Sequence, residues 1–307
     1  MKIVRRGSPG GPVALAIGSF DGVHLGHRAM LERVVQAAAE RGITPAALTF
    51  EPLPREFFSP AEAPPRVSSL QEKLAAIADC GIAVAMVERF DAAFASIGAA
   101  QFEERIARRY RAKWVIVGRD FRYGAGRRGD VASLQSAGSR LGFEVDILPA
   151  VTLEGERVSS TRVREALGRA DFTRAAKLLG RPYVICGRVL HGAKRGRGMG
   201  FPTANVRLAR PRAPVHGIFA VKCHGAATRG LEGVASLGTN PAVRDGGPAT
   251  LEAFLFDFSG DLYGRRISLE FVKKLREEAH FASMDALAGQ IRRDCDAARE
   301  IFRSMPR

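Results

Sequence analysis

Between Val13 and Pro149 short apolar, β-branched runs alternate with amphipathic helical stretches, and few folds accommodate that rhythm. The runs are VALAI (Val13 to Ile17), AALTF (Ala46 to Phe50), VAMV (Val84 to Val87), WVIVG (Trp114 to Gly118) and EVDILP (Glu144 to Pro149). The intervening stretches predict helices over about Ala29 to Arg41, Leu70 to Cys80, Ala99 to Tyr110 and Val131 to Leu141. Repeated βαβ units of this kind predict an α/β domain: a parallel sheet covered by helices, with right-handed connections. Past about Arg181 the rhythm changes. VICGRVL, GIFAVKCH, GVASLG, TLEAFLFDF and RISLEFVKKL are short strand candidates separated by glycine, proline and charged turns, the pattern of a small antiparallel β-barrel. Ser283 then opens a terminal helix with Asp285 in its first turn and an apolar face through Leu287, Ile291 and Ile301. The expected domains are residues 1–180 and 181–307, and 46% hydrophobic residues in 307 supply two cores.

Charge narrows the partners less than it first suggests. The formal +15 suits a polyanion, but the basic residues are spread along the chain, with local groups at Arg105 to Arg111 and Lys194 to Arg197 and no long basic tail. An enzyme handling several phosphorylated ligands fits that distribution, and a nucleic-acid partner is not expected. Cys80, Cys186, Cys223 and Cys295 form no CxxC pair, so neither a zinc site nor a redox motif is indicated. No apolar run approaches the roughly 18 to 20 residues of a membrane span, and Val13 to Ile17 is too short for a signal-peptide core, so a cytoplasmic location and no membrane partner are expected.

The sharpest local signal is GSFDGVHLGH, Gly18 to His27, between the first strand and the first helix. Gly18, Gly22 and Gly26 allow a backbone to approach a phosphate, and the helix beyond them offers unpaired amides and the positive end of its dipole. His24 and His27 are three apart, so both rings can face one anion; taken singly, each is equally a capping or packing histidine. HLGH resembles the HxGH signature of the nucleotidylyltransferase superfamily, and the longer string resembles the GNFDGVHxGH motif of prokaryotic FAD synthetases. The resemblance implies a Rossmann-like domain in which an FMN phosphate oxygen attacks the α-phosphorus of ATP and expels pyrophosphate, while His24 and His27 stabilise charge on the phosphates. Gly18, Phe20, Asp21, Gly22 and Gly26 join the implied nucleotide-binding loop. TFEPLPREFF (Thr49 to Phe58) resembles the family's flavin-side loop. In VGRDFRYGAGRRGD (Val117 to Asp130), the resemblance implies that Asp120 and Phe121 lie near nucleotide and flavin. SSTRVREAL resembles the segment closing the site, with Ser159, Ser160, Thr161, Arg162 and Arg164 as implied phosphate ligands. Read without the family, that segment is a capped helix N-terminus, and both readings hold together.

GRVLHGAKRGRGMGFPTANV, Gly187 to Val206, begins as a strand and becomes a glycine-rich basic loop, which on composition alone is a surface loop. It resembles the riboflavin kinase signature. The resemblance implies that Gly187, Gly200 and Pro202 belong to an arm over ATP, and that Thr203 and Asn205 bind Mg²⁺ with the nucleotide phosphates; neutral oxygen ligands suit that ion. Glu252 in TLEAFLFDF resembles the family's catalytic glutamate, although alternation alone makes it a solvent-facing strand residue. The segments that follow resemble the family's FSGDLYG and LRxExxF motifs, and the resemblance implies that Arg276 and Glu278 lie near flavin and nucleotide.

The resembling motifs run from Gly18 to Phe281 and imply a bifunctional riboflavin kinase/FMN adenylyltransferase with riboflavin, FMN, FAD and ATP as ligands and Mg²⁺ as cofactor. Ser19, Leu53, Ser236, Asn240 and Ala242 depart from the family's commoner residues. Losing an arginine at Asn240 removes a bidentate cation near a substrate loop, which leaves open an alternative: an adenylyltransferase with an impaired kinase domain.

Overall fold

The computed structural model describes residues 1–191, 201–210, 212–225, 228–239 and 249–305. The chain divides into two compact units, Met1–Pro64 with Leu70–Ser160, and Pro65–Ser69 with Thr161–Arg307.

In the first unit, β1 (Lys2–Val4), β2 (Val13–Ile17), β3 (Thr44–Glu51), β4 (Val84–Arg89), β5 (Ala112–Gly118) and β6 (Glu144–Leu148) form one sheet in the order β1-β4-β3-β2-β5-β6. Every neighbouring pair is parallel, as the βαβ rhythm predicts. All five residues of β2 are buried because both faces of the sheet are covered. Val13, Leu15 and Ile17 enter one core with Leu48, Val115 and Val117, while Ala14 and Ala16 enter the other with Leu31 and Val34. The small residues on that second face let helix α1 (Leu25–Arg41) lie close to the sheet. The strand order reverses between β2 and β5, and the crevice beyond the carboxyl ends of such strands is where open α/β sheets hold ligands.

Several helices differ from the sequence expectation. Helix α1 begins at Leu25 rather than about Ala29, because His24 caps it: its ring Nδ1 accepts the His27 N–H. The chain also forms the short helices α2 (Pro54–Phe58) and α4 (Ala92–Ala95) and the edge strand β1, none of which has a periodic signature long enough to read. Helix α3 (Leu70–Asp79) and helix α6 (Val131–Leu141) lie where expected. The helix expected over Ala99 to Tyr110 is α5 (Ala99–Glu104) followed by a wider i→i+5 turn, with the Tyr110 N–H bonded to the Arg105 carbonyl at 2.8 Å. It ends there because Arg111, at φ +53°, turns the chain so that its carbonyl accepts the Val13 N–H and β5 joins β2. A two-stranded hairpin, β7 (Thr152–Leu153) and β8 (Glu156–Arg157), follows β6.

The second unit takes in most of helix α7 (Ser160–Gly168), helix α8 (Phe172–Leu179) and six strands. Strands β9 (Val184–Leu190), β10 (Thr203–Val206), β11 (Gly217–Gly225), β12 (Thr228–Thr239), β13 (Ala249–Leu255) and β14 (Arg266–Arg276) close into an antiparallel barrel in the order β10-β13-β12-β11-β14-β9. Alternation divides each strand: Leu251, Ala253 and Leu255 of β13 are buried in the barrel, whereas Glu252 and Phe254 point outward. Phe172 of α8 packs against Phe219 and Phe271 with ring centroids 5.8 Å apart in both cases. Helix α9 (Met284–Ser304), capped by Ser283 as expected, lies against the outer face through Ile291, Cys295, Ala298 and Phe302.

Candidate active sites

The loop from Gly18 to His24 leaves β2 at the strand-order reversal and runs into α1. Three of its residues are left-handed: Phe20 at φ +49°, Gly22 at +85° and Val23 at +43°. A β-branched residue there is strained, and burial of Phe20 and Val23 holds it, with the Val23 N–H on the Phe20 carbonyl at 3.3 Å. Two of the glycines serve the loop's own rings. A Cβ at Gly18 would meet the Phe20 ring at 3.2 Å, and one at Gly26 would meet the His24 ring at 3.3 Å. Phe20 and Asp21 are buried side chains, so what they present to a ligand is main chain.

His24 and His27 stack face to face, with centroids 3.7 Å apart and planes inclined by 15°. The Phe20 ring stands edge-on to His27 at 5.2 Å. His27 is held well below the ordinary histidine range, first by burial and then by the fields of His24 and Lys73, so its ring is neutral near pH 7. Its Nδ1 is buried and has no hydrogen-bond partner among the described residues. A neutral, unpaired ring nitrogen beside a helix N-terminus is suited to receive an anion.

Beside the loop lies a cavity of about 710 Å³ lined by Gly18, Ser19, Phe50, Phe90, Phe94 and Phe121, with Arg55, Arg122 and Arg127 also on its wall. Phe50, Phe90 and Phe94 pack mutually at 5.5 to 5.8 Å, and Phe121 stacks on Tyr123 at 5.6 Å. An aromatic cleft with a cationic wall suits a planar ring system that carries phosphate. Phe121, which the resemblance puts near nucleotide and flavin, lines this cavity. Phe90 and Phe94 were not anticipated, although two phenylalanines four apart directly after β4 were a signal for them. Asp120 is exposed at the same cavity and paired with Arg157 at 2.6 Å. The Ser160 hydroxyl donates to the Asp21 carbonyl at 2.9 Å, tying the start of α7 to the loop. Within the second unit, Arg164 Nε donates to the Pro65 carbonyl at 2.9 Å, and Arg162 pairs with Glu165 at 3.4 Å. Thr161 is exposed.

On the barrel, Asn205 of β10 pairs with Glu252 of β13, which pairs in turn with Ser236 of β12. Residues directly opposite share a face, so these three and Thr203, two residues before Asn205, project outward together. The Thr203 hydroxyl donates to Glu252 Oε2 at 3.3 Å. Two cavities meet here. One of about 100 Å³ is lined by Pro202, Thr203, Asn205, Asp261 and Tyr263; the other, of about 290 Å³, by Thr203, Glu252, Phe254, Arg276 and Phe281 with Ile291 of α9. Thr203 lies on both walls. Glu252 does face outward, as alternation required, and the outward face is the cavity. The donors are two neutral oxygens beside one carboxylate, a set that fits a hard divalent cation drawing its remaining ligands from phosphate and water.

Gly187 is buried in β9, where a Cβ would collide with the Arg207 carbonyl and the Val206 side chain, so its place is to let β9 and β10 approach. Arg276 is engaged within the protein: Nε and Nη2 donate to the buried Asp294 carboxylate at 2.7 to 3.1 Å, and Nη1 donates to the Glu277 carbonyl at 2.8 Å. The serine at 236 finds a partner in Glu278, to which its hydroxyl donates at 3.3 Å. Gly200, Asn240 and Ala242 lie outside the described residues.

Fold and sites together define a two-domain transferase, with a parallel sheet carrying a glycine–histidine loop at its switch point and a barrel carrying a threonine–asparagine–glutamate cluster. The model of the FAD synthetase family matches residues 9–162, and that of the riboflavin kinase family matches 179–302. Bifunctional riboflavin kinase/FMN adenylyltransferases from Escherichia coli K12 and Pseudomonas fluorescens are each 45% identical to this chain, over 94% and 93% of it and 92% and 91% of their own lengths. The Haemophilus influenzae relative of the same name is 42% identical over 95% of this chain and 94% of its own. The chain therefore belongs to the bifunctional riboflavin kinase/FMN adenylyltransferase family. A crystal structure from Streptococcus pneumoniae, described as a macrolide-efflux protein, superposes over 100% of both chains with a TM-score of 0.81 and 27% identity. Among the described residues no helix is long and apolar enough to cross a membrane.

Proposed function

We propose that this chain phosphorylates riboflavin to FMN on the barrel and adenylylates FMN to FAD at the parallel sheet, using ATP in both steps. For the kinase step, the observation that carries the reading is the position of Thr203 on the common wall of two cavities, hydrogen-bonded to Glu252. The smaller cavity takes nucleotide phosphates and the larger takes the flavin. Glu252 accepts the proton of the riboflavin primary hydroxyl as that oxygen bonds to the γ-phosphorus, and ADP departs. Thr203 and Asn205 would hold Mg²⁺, which when bound supplies charge neutralisation on the phosphates. Arg276 acts by fixing the cavity wall through Asp294.

For the adenylylation step, a phosphate oxygen of FMN bonds to the α-phosphorus of ATP and pyrophosphate leaves, so no covalent enzyme intermediate is needed. The aromatic cleft holds the isoalloxazine, and the neutral His27 and its stacked partner His24 donate hydrogen bonds to phosphate oxygens as charge develops. Ser159 and Ser160, at the end of the first unit, add hydroxyl ligands for phosphate. The functional boundary is taken at residue 180, beside the start of the riboflavin kinase match at residue 179. Dependence on ATP agrees with a cytoplasmic location.

The reading is tested with purified, flavin-free protein given riboflavin, ATP and Mg²⁺, and separately FMN, ATP and Mg²⁺, with flavins resolved chromatographically. FMN and FAD from riboflavin are expected, and chelation of Mg²⁺ stops FMN formation. FAD from FMN alone would favour the impaired-kinase alternative, and no conversion by folded protein would refute both.

A further inference from the structure

Lys73 is the most deeply buried charged side chain described in the first unit, at 1% exposure, in a helix whose other buried residues, Leu74, Ala76 and Ile77, are apolar. Its ammonium donates to the Ser19 carbonyl at 3.1 Å, to the Thr49 hydroxyl at 3.1 Å and to the Phe50 carbonyl at 3.4 Å. The Thr49 hydroxyl itself donates to the Ser19 carbonyl at 3.2 Å. One cation thus joins helix α3, the end of β3 and the loop that carries the histidines.

Burying a lysine costs several kcal/mol of desolvation, and an apolar residue of similar volume fills such a position at least as stably. Packing alone does not account for it. What it holds is specific: Ser19 and Phe50 are both wall residues of the 710 Å³ cavity, and Ser19 opens the strained run that ends at His24. Strain persists only where the surroundings over-determine it, and the Ser19 carbonyl is the point at which α3 and β3 do so. The positive charge also disfavours protonation of His27.

We propose that Lys73 is a positioning residue for adenylyl transfer: its ammonium clamps the Gly18–His24 loop to the end of β3 and thereby sets where the two histidines stand against the ATP phosphates. The proposal rests on the adenylylation reading and deepens it. A clamp of this kind acts on the transition state more than on ground-state affinity, because a shift of about 1 Å in a catalytic group costs on the order of 100-fold in rate.

The test uses the full chain and three variants, Lys73→Met, Lys73→Arg and Thr49→Val, with FAD formation from FMN as the readout and FMN formation from riboflavin as the control. Lys73→Met is expected to lower kcat for FAD formation by about 30-fold or more while KM for FMN and ATP stays within about threefold. Lys73→Arg is expected to recover at least roughly a third of the wild-type kcat, since a cation is restored. Thr49→Val, which keeps the lysine and the side-chain volume but removes the hydroxyl, is expected to lower kcat by about three- to tenfold. FMN formation stays within about twofold throughout. A Lys73→Met kcat within about twofold of wild type, a loss carried by KM alone, or an arginine variant no better than the methionine one overturns the proposal. If Lys73→Met does not fold, Thr49→Val decides, and its kcat lying within about 1.5-fold of wild type overturns the clamp. Absence of FAD formation by the wild-type protein would be failure of the adenylylation reading itself and is distinguishable from all of these.

Discussion

Removing the Asp294 carboxylate should destabilise the barrel more than any substitution of comparable size on its surface. The side chain is 6% exposed and accepts from Arg276 Nε at 2.9 and 3.1 Å, from Arg276 Nη2 at 2.7 Å and from Gln290 Nε2 at 2.8 Å. Asp294→Ala leaves a guanidinium that is 22% exposed without its counter-charge. Breaking a buried pair by deleting one partner costs about 3 to 5 kcal/mol, and the lower end applies because Arg276 keeps the Glu277 carbonyl and some contact with water. At about 3 kcal/mol, a unit of this size loses roughly 10 °C in Tm. Arg276→Ala should cost more, about 4 kcal/mol, because the carboxylate left behind is the more deeply buried partner. The double variant should regain about 1 to 2 kcal/mol over the worse single one, since no buried charge is left uncompensated. Thermal inactivation of FMN formation reports the barrel, while fluorescence of the sole tryptophan, Trp114 of β5, reports the first unit as a control. An Asp294→Ala inactivation midpoint within about 2 °C of wild type, or strictly additive losses in the cycle, would refute the reasoning.

His27→Ala should lower FAD formation by about 100-fold or more and leave FMN formation within about twofold, whereas Glu252→Gln should do the reverse when FMN is supplied, both read by flavin chromatography. Because the folded-state pKa of His27 lies well below its unfolded value near 6.5, the unfolded chain binds the proton first; stability should therefore fall as pH drops through about 6.5 towards the folded pKa. The slope is at most about 1.4 kcal/mol per pH unit, reduced by the partial exposure of the ring, and denaturant unfolding between pH 5.5 and 7.5 should find it shallower in His27→Asn by about that contribution. Gly187→Ala should disrupt the β9–β10 pairing that carries Thr203 and Asn205, abolishing FMN formation and sparing FAD formation, as assayed on each substrate separately.

The parallel sheet was legible because β2, β4 and β5 carry the apolar runs VALAI, VAMV and WVIV, and the barrel because its short strand candidates are separated by glycine, proline and charged turns. The short helices α2 and α4 carry too few residues for a period to register, and β1 has three residues, two of them exposed. Local motifs gave the histidine pair and the Thr203–Asn205–Glu252 cluster, since cross-strand pairing converts distant residues into neighbours only once the register is set. Lys73 and the Phe90–Phe94 wall were missed because nothing in their immediate sequence distinguishes a clamping lysine from a solvated one, or a cavity phenylalanine from a core one. Gly18 and Gly26 were expected to let the backbone approach a phosphate, and the structure adds that a Cβ at either would meet the loop's own aromatic rings.

The larger cavity of the second unit is built on the outside of the barrel, between the Glu252 face and the inner side of α9. Three of its lining residues, Leu287, Ile291 and Asp294, are therefore encoded more than thirty residues after the glutamate, in a segment bearing no signature of its own. The barrel can be regarded as an anvil and the terminal helix as the jaw that closes against it. Sequence drift in Leu287 or Ile291 would then reshape the cavity while every recognisable motif stayed intact.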